Sequence, residues 1–464
     1  MARLIKTSWI ACCFFLILPI PAFCADGSSL APALDAKIAA ALAAFEVPSV
    51  SVAVIQNGHL SYAKAFGKAN VSADKPAQAS TRYAVGSISK QFTAAALLLE
   101  QDHGALSLDD KVSKYFPDLT RGNEITIREL LSHTAGYEDY APQDYLIPEW
   151  TRPTTPEAVL HRWAKKPLNF DPGTRWQYSN TNYVLAGKIL EKVSGQALLP
   201  FLKEHFFRPL EMDSAGDCEV HSLDDAAAYT RYSLGPPRPV GREASGWYFA
   251  AGELCMTASD LALWDIAFLQ KKILSAKSYD EFTREVKLTN GKATQYALGL
   301  HIGELQGTPM ISHSGEVSGF LALNAVFPTK DAAVVVLSNE DGVNLIGPLS
   351  QTIGSLLVDA NASASEAQDG KVRAILEGLQ QGQIHRSLFT ADANSYFSEV
   401  ALTDYRASLA PLGKLQLLTR QSEQLRGGMT YLSYHAHFEK NSVSLSIYLT
   451  PDGKFEQFLV GEQL

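Results

Sequence analysis

The stretch from Tyr83 to His103, YAVGSISKQFTAAALLLEQDH, constrains the fold more than any other part of the chain. From Gln91 it is built of strong helix formers, Ala94 to Leu99 are apolar without a break, and Gly104 supplies a stop. A helix that is apolar nearly all round has no face for solvent, so other elements must surround it. Its opening turn carries Ser87 and Lys90, three apart. On a helix such residues share a face, so Oγ of Ser87 and Nζ of Lys90 can meet, and the positive helix N-terminus favours an alkoxide at Ser87. This is the geometry of an activated nucleophile. Two other Ser-x-x-Lys pairs lack that setting. Ser61 and Lys64 lie in an alternating, strand-like segment where residues three apart face opposite ways, and Ser72 and Lys75 lie in a polar loop. Taken alone, Ser87 is equally well an ordinary serine near a helix start.

A chain of 464 residues, 46% of them hydrophobic, can bury a large core and is expected to form two domains rather than one. The first 24 residues read as a signal peptide. Arg3 and Lys6 are basic, Ile10 to Ile20 are apolar, and Ala22-Phe23-Cys24 offers small residues where a signal peptidase reads them. Phe23 argues against a lipoprotein at Cys24. No later segment is apolar for long enough to span a membrane, so an exported protein, periplasmic or secreted, is expected. Beyond the leader only Cys218 and Cys255 remain; they can pair in an oxidising compartment, although a core this large does not need a staple. A formal charge of −9 without a basic cluster argues against nucleic-acid binding.

Along the chain, Leu34 to Phe45 reads as a short helix. Val50 to Ala65 reads as two strands joined at Asn57-Gly58, the strongest short hairpin signal. From Pro142 to about Pro239 the pattern is mainly helical, with an amphipathic helix from Tyr183 to Ser194 closed by Gly195. Strands are expected at Tyr296 to Glu304, Phe320 to Phe327 and Ala332 to Ser338, then a helix from Leu345 to Val358. Strands from both ends can join in one antiparallel sheet flanked by helices, an α+β domain over residues 25–360 with a helical subdomain inserted at about 105–245 and a cleft between them. Residues 361–370, NASASEAQDG, read as a linker. Residues 371–464 then read as a small α+β domain, with a helix at Val372 to Leu379, helical character around Ala401 to Leu409, and alternating strands around a Pro451-Asp452-Gly453 turn.

Two further motifs carry chemistry. Tyr178-Ser179-Asn180 follows the Asp171-Pro172-Gly173 turn in a loop before a helix, and alone it reads as an Asn cap. His313-Ser314-Gly315 lies between predicted strands, with Gly319 soon after, and alone it reads as a turn at a strand edge. In this order the three motifs resemble the serine β-lactamase and penicillin-binding-protein superfamily. VPSVSVAVIQNGHLSYAKAFG, ITIRELLSHTAGY, FDPGTRWQYSNTNYVLAGKILEKVSG and HSGEVSGF look like its class C, DD-peptidase and esterase branch, over roughly Leu34 to Asp359.

The resemblance implies that Ser87 is the acylated nucleophile, Lys90 its proton acceptor and Tyr178 a proton shuttle. Asn180 would hold the substrate amide and His313, Ser314 and Gly315 would line the substrate. The backbone N–H groups of Ser87 and Glu316 would form the oxyanion hole, with glycine at 315 allowing close approach. For Lys90 or Tyr178 to accept a proton near neutrality its pKa must fall by about three units. No cofactor or metal is implied. His313 replaces the usual lysine, as in some DD-peptidases, D-aminopeptidases and esterases, and would grip a substrate carboxylate only weakly unless a partner raised its pKa. His133 is read as a packing and turn residue. His435 and His437 share a strand face without further ligands, which argues against metal binding.

The expected activity is hydrolysis of a small amide or ester, such as a D-amino-acid peptide, through an acyl-enzyme. A carboxylesterase or β-lactamase with the same residues, or a non-hydrolytic penicillin-recognising scaffold, are the alternatives. The C-terminal domain loosely resembles the cone-shaped nuclear-transport-factor-like kind and would shape the active-site mouth or mediate dimers.

Overall fold

In a computed structural model of the chain, residues 30–143, 145–220, 225–358 and 362–462 are described. The leader expected over residues 1–24 lies outside them. The Asn57-Gly58 signal is realised: β1 (Ser49–Gln56) and β2 (His59–Asn70) pair antiparallel around it. Both turn residues have positive φ, 52° and 72°, as a two-residue hairpin loop requires. A short β3 (Lys75–Pro76) edges β2, and four strands come from the far end of the domain: β4 (His301–Leu305), β5 (Thr308–Val317), β6 (Phe320–Phe327) and β7 (Ala332–Ser338). They form one seven-stranded antiparallel sheet, in the order β3-β2-β1-β7-β6-β5-β4. The two ends of the domain meet where Val50 lies opposite Ser338 and Val54 opposite Val334.

Because β1 and β7 are central, both of their faces are covered, and the polar half of the strand alternation disappears. The helices that cover them and carry the site are α1 (Leu30–Phe45), α2 (Ser89–Asp102), α3 (Asn180–Ser194), α4 (Ala258–Leu269) and α5 (Ile346–Val358). Val50, Val52 and Val54 pack with Leu34 and Ile38 of α1 and Leu349 and Ile353 of α5. Ala53 and Ile55 belong to the opposite core with Phe92 and Leu97 of α2 and Leu261 of α4. As its composition requires, α2 is buried from Ser89 through Leu98. Each fully buried leucine there is worth about 1.5–3 kcal/mol against exposure.

Several elements differ from the sequence expectation. His313-Ser314-Gly315 lies inside β5 rather than between strands. The strand expected from Tyr296 begins only at His301, because Gly299 turns at φ 75°, so close to α2 that a Cβ would sit 2.9 Å from the Lys90 carbonyl oxygen. The stretch read as mainly helical holds helices at Pro156–Trp163, α3 and Leu198–Leu202. Beyond Phe207 its described residues up to Pro239 are loops and two-residue strands, where Pro209, Pro236, Pro237 and Pro239 remove backbone donors. Cys218 and Cys255 form a disulfide beside a small sheet of Gly216–Asp217, Leu254–Met256 and Tyr83–Ala84, the last leading directly to Ser87.

The stretch read as a linker is helical from Ala362, the start of α6 (Ala362–Gln380). Without proline, its Ala, Glu and Gln are competent helix formers, and Asp369 is tied to Arg420 at 2.5 Å and to the Tyr434 hydroxyl at 2.7 Å. Helices at Ala391–Tyr396 and Glu399–Leu409 follow, then an antiparallel meander of β8 (Leu415–Arg426), β9 (Met429–Phe438), β10 (Ser442–Leu449) and β11 (Phe455–Glu462). Val372, Ile375, Leu376 and Leu379 of α6 pack on Tyr434, Ala436 and Ile447, a core of its own.

Candidate active site

Ser87 lies in a 3₁₀ turn, Gly86–Ile88, that feeds α2, while Lys90 lies in the first turn of α2 itself. Nζ of Lys90 is 2.9 Å from Oγ of Ser87, 2.8 Å from Oδ1 of Asn180 and 2.8 Å from the carbonyl oxygen of Ala251. A neutral amine has two N–H groups and one lone pair. The Asn180 and Ala251 oxygens can only accept, so they take both N–H groups and leave the lone pair for the Ser87 hydroxyl. Complete burial lowers the Lys90 pKa to about 7, against an opposing pull from Asp139. This lysine can therefore be uncharged near neutrality.

The Tyr178 hydroxyl donates to Oγ of Ser87 at 2.7 Å from the other side. Its pKa moves opposite to the sequence expectation: burial raises it, the Ser87 bond only partly offsets this, and Asp139 adds to the rise. The phenol stays protonated, suited to giving a proton rather than taking one. The Tyr178 loop is fixed from below by His133, at φ 59° and fully buried, whose Nδ1 accepts from the Ser179 amide at 3.1 Å and whose ring lies 4.3 Å from that of Tyr178. Burial first, and then Lys90, holds His133 well below the usual histidine range, which fits its reading as a packing residue.

Asn180 opens α3, and its orientation is set by Asp139, whose Oδ1 accepts from the Asn180 amide at 2.9 Å and from Nδ2 at 3.2 Å. Holding Nδ2 on Asp139 turns Oδ1 toward Lys90. Nothing local in the sequence marks Asp139 beyond its place just after ITIRELLSHTAGY. Ala251 and His301 were likewise not legible, since the first acts through its backbone and the second lies before the motif strand.

The turn and β5 approach one another very closely. A Cβ on Gly315 would lie 1.9 Å from the Val85 carbonyl oxygen and 3.1 Å from the Ser87 amide nitrogen, and one on Gly86 would lie 2.8 Å from the Glu316 amide nitrogen. Glycine at both positions lets the turn that carries the Ser87 amide lie directly against the strand that carries the Glu316 amide. Ser314 and Glu316 are exposed along the strand and His313 is buried. The His313 Nδ1 is 2.5 Å from the Ser314 carbonyl oxygen and must carry the proton, so Nε2 accepts from the Tyr296 hydroxyl at 2.8 Å. Burial, then His301 and Lys90, push the His313 pKa well below the usual range. The bond to the Ser314 carbonyl pulls upward but only partly offsets this, and both ring nitrogens are used within the protein.

Ser87, Tyr178, Asn180, His313, Ser314 and Glu316 line one cleft of about 740 Å³. Trp150, Trp176 and Tyr140 add an aromatic wall. A hydroxyl between a neutralisable amine and a phenol, facing two convergent amides, is equipped to attack a carbonyl carbon and stabilise the resulting oxyanion. His435 and His437 lie far along the chain in β9. The ring nitrogens of His437 are engaged by Oγ of Ser442 at 2.6 Å and the carbonyl oxygen of Ala44 at 2.8 Å.

This sheet, with a serine and lysine opening its buried helix, defines a serine β-lactamase and penicillin-binding-protein-like molecule. The model of the beta-lactamase family matches residues 34–347, and the chain belongs to that family of serine hydrolases. Penicillin-binding protein 4* of Bacillus subtilis is 25% identical over 430 residues, covering 88% of this chain and 94% of that one. Among solved structures, the octameric penicillin-binding protein homologue from Pyrococcus abyssi superposes with a TM-score of 0.64 at 23% identity, over 93% of this chain and 99% of that one. That fold likeness extends into the C-terminal domain. A D-stereospecific amidohydrolase from Streptomyces sp. superposes at 0.60 with 26% identity, over 72% of this chain and 99% of that one. No helix among the described residues is long and apolar enough to cross a membrane.

Proposed function

We propose that the protein is an exported hydrolase that cleaves a small amide or ester, such as a D-amino-acid peptide, through an acyl-enzyme on Ser87. The observation that carries this reading is the convergence on Oγ of Ser87 of Lys90 Nζ at 2.9 Å and the Tyr178 hydroxyl at 2.7 Å. Neutral Lys90 takes the Ser87 proton as Oγ attacks the carbonyl carbon, and the oxyanion forms against the Ser87 and Glu316 amides. Tyr178 gives its proton to the departing amine or alkoxide and is reprotonated from the Lys90 ammonium. Water then attacks the acyl carbon, its proton passing to Lys90 and from Lys90 to Oγ as Ser87 leaves as the hydroxyl, which restores the neutral lysine. A general base of this kind is worth about 10²–10⁴ in rate and one oxyanion donor about 10²–10³.

The structural likeness to a D-stereospecific amidohydrolase supports amide chemistry. Export is supported by the leader pattern and by the Cys218–Cys255 disulfide, a bond that persists in oxidising compartments. The test is incubation with a p-nitrophenyl ester, a D-Ala-D-Ala peptide and a reactive penicillin, following protein mass and turnover together. An acyl adduct on Ser87 with turnover, lost in Ser87→Ala, is expected. Hydrolysis that survives Ser87→Ala, or no adduct and no turnover with any of the three, overturns the reading; a lasting penicillin adduct without turnover favours the recognition protein instead.

A further inference from the structure

The segment from Ala250 to Met256 grips the turn that carries the nucleophile. The Ala250 carbonyl oxygen accepts from the Thr93 hydroxyl at 2.8 Å, and the Ala251 carbonyl oxygen accepts from Nζ of Lys90 at 2.8 Å. The Leu254 amide donates to Oγ of Ser89 at 3.2 Å, and the Leu254 carbonyl oxygen accepts from the Val85 amide at 2.9 Å. These bonds hold the chain on both sides of Ser87. The Ala251 bond bears directly on the chemistry, because a neutral Lys90 without that acceptor has a free N–H and its lone pair is no longer held on the Ser87 hydroxyl.

The segment has little regular structure of its own to keep it there. Its strand, Leu254–Met256, pairs only with Tyr83–Ala84 on one side and Gly216–Asp217 on the other. Ladders this short are marginal by themselves. The Cys218–Cys255 disulfide ties the central strand to the chain just beyond the outer one, and beside it the Cys218 amide donates to the Glu253 carbonyl oxygen at 2.9 Å. Both cysteines are buried. Disulfides are needed for stability chiefly by small domains without a sufficient core, and this core is large. The place of the bond therefore points to a local task, on the segment that carries the Ala251 carbonyl.

We propose that the Cys218–Cys255 disulfide is a positioning element for the reaction: it fixes the segment that presents the Ala251 carbonyl oxygen to Lys90, so that the chain becomes competent to acylate Ser87 once the two thiols are oxidised. This rests on the Ser87 acyl-enzyme reading and adds a condition to it. Oxidation by glutathione disulfide takes both S–H hydrogens, forms the S–S bond and reduces the oxidant to two thiols. The test compares the double variant Cys218→Ser, Cys255→Ser with the disulfide-bonded protein in the burst of p-nitrophenol from p-nitrophenyl acetate between pH 5 and 9, well below both melting temperatures. The saturating acylation rate is expected to fall about ten-fold or more while the half-saturating ester concentration stays within about two-fold. The acidic limb set by Lys90 is expected to move to higher pH as water reaches the amine. Asp139, His133, His313 and the rings of Tyr178 and Tyr183 also face Lys90, and the variant alters none of them. Wild-type protein made in a reducing cytoplasm and then treated with glutathione disulfide gives a second readout, independent of whether the variant folds: the burst rate should rise in step with the loss of titratable thiols at unchanged circular dichroism. A double variant with the wild-type rate, a fall in rate without an upward move of the limb, full activity before the thiols are lost, or recovery only together with refolding overturns this inference alone. Failure of the oxidised protein to be acylated overturns the hydrolase reading and this inference with it.

Discussion

In the proposed reaction three side chains set the chemistry, and their protonation can be read in a pH profile. Below about pH 7 Lys90 is an ammonium with no lone pair for the Ser87 proton, so acylation should fall about ten-fold per pH unit on that side and level off above it. The Tyr178 phenol, raised by burial, places no descending limb in the neutral range. Stopped-flow measurement of p-nitrophenol release between pH 5 and 9 checks this, and a flat profile would remove Lys90 from the proton path. Asp139 supplies a second test. Its carboxylate raises the Lys90 pKa, so Asp139→Asn should move the acidic limb to lower pH, and loosened positioning of Asn180 should lower kcat. A limb that stays or moves upward would contradict the assigned coupling. At this scale Ser87, Lys90 and Tyr178 were legible because each stands in a short motif with a local reason for its place. Asp139 was not, because it reaches the cleft from a loop whose course depends on tertiary packing.

The elements that bring those side chains together depend on close approach and on one buried polar network. Gly315→Ala should push β5 from the 3₁₀ turn, since the new Cβ would fall 1.9 Å from the Val85 carbonyl oxygen. Misplacing one oxyanion donor is expected to lower acylation by about 10²-fold or more, with circular dichroism distinguishing this from unfolding. Near-wild-type acylation would show that the Glu316 amide is dispensable. Behind the site, Asp265 of α4 accepts from Asn324 of β6 at 2.7 Å, Asn324 accepts from Gln91 of α2 at 2.7 Å, and Gln91 accepts from Trp264 at 3.1 Å. Burial lifts the Asp265 pKa from 3.8 to about 8, the Asn324 bond only partly offsetting it. The folded protein then holds a proton that the unfolded chain has lost. Stability from this group is complete below the unfolded value and drains away up to the folded one, by up to ~1.4 kcal/mol per pH unit. Asp265→Asn should flatten that slope in thermal melts between pH 5 and 8; an unchanged slope would place its origin elsewhere. Strands β6 and β7 and the Asn57-Gly58 hairpin were legible because apolar runs ended at turn residues. The segment from Tyr296 was not, because close passage by α2 overrides its alternation.

At the scale of the molecule, the second domain is joined to the first through α1. His437 of β9 stacks on Phe45 at 5.4 Å and bonds to the Ala44 carbonyl oxygen, while Leu417 of β8 enters the core that α1 shares with α5. The two-domain division was legible from the change in pattern near residue 360. The polar stretch there nevertheless folds as the start of α6, because a composition poor in large apolar residues but free of proline is as suited to a docked helix as to a linker. Among the described residues lining the cleft, none lies beyond Asp341, and the C-terminal domain contacts α1. Its contact with α1 therefore bears on stability. His437→Ala removes one stacked ring and two hydrogen bonds, to Ala44 and to Ser442, together worth roughly 1.5–4.5 kcal/mol. Hydrogen exchange should quicken in α1 and β9, while kcat/KM stays within about two-fold of wild type because the altered contact is remote from the reacting groups. A large fall in kcat/KM with exchange in α1 unchanged would instead mean that the domain acts on the cleft by a route other than this contact.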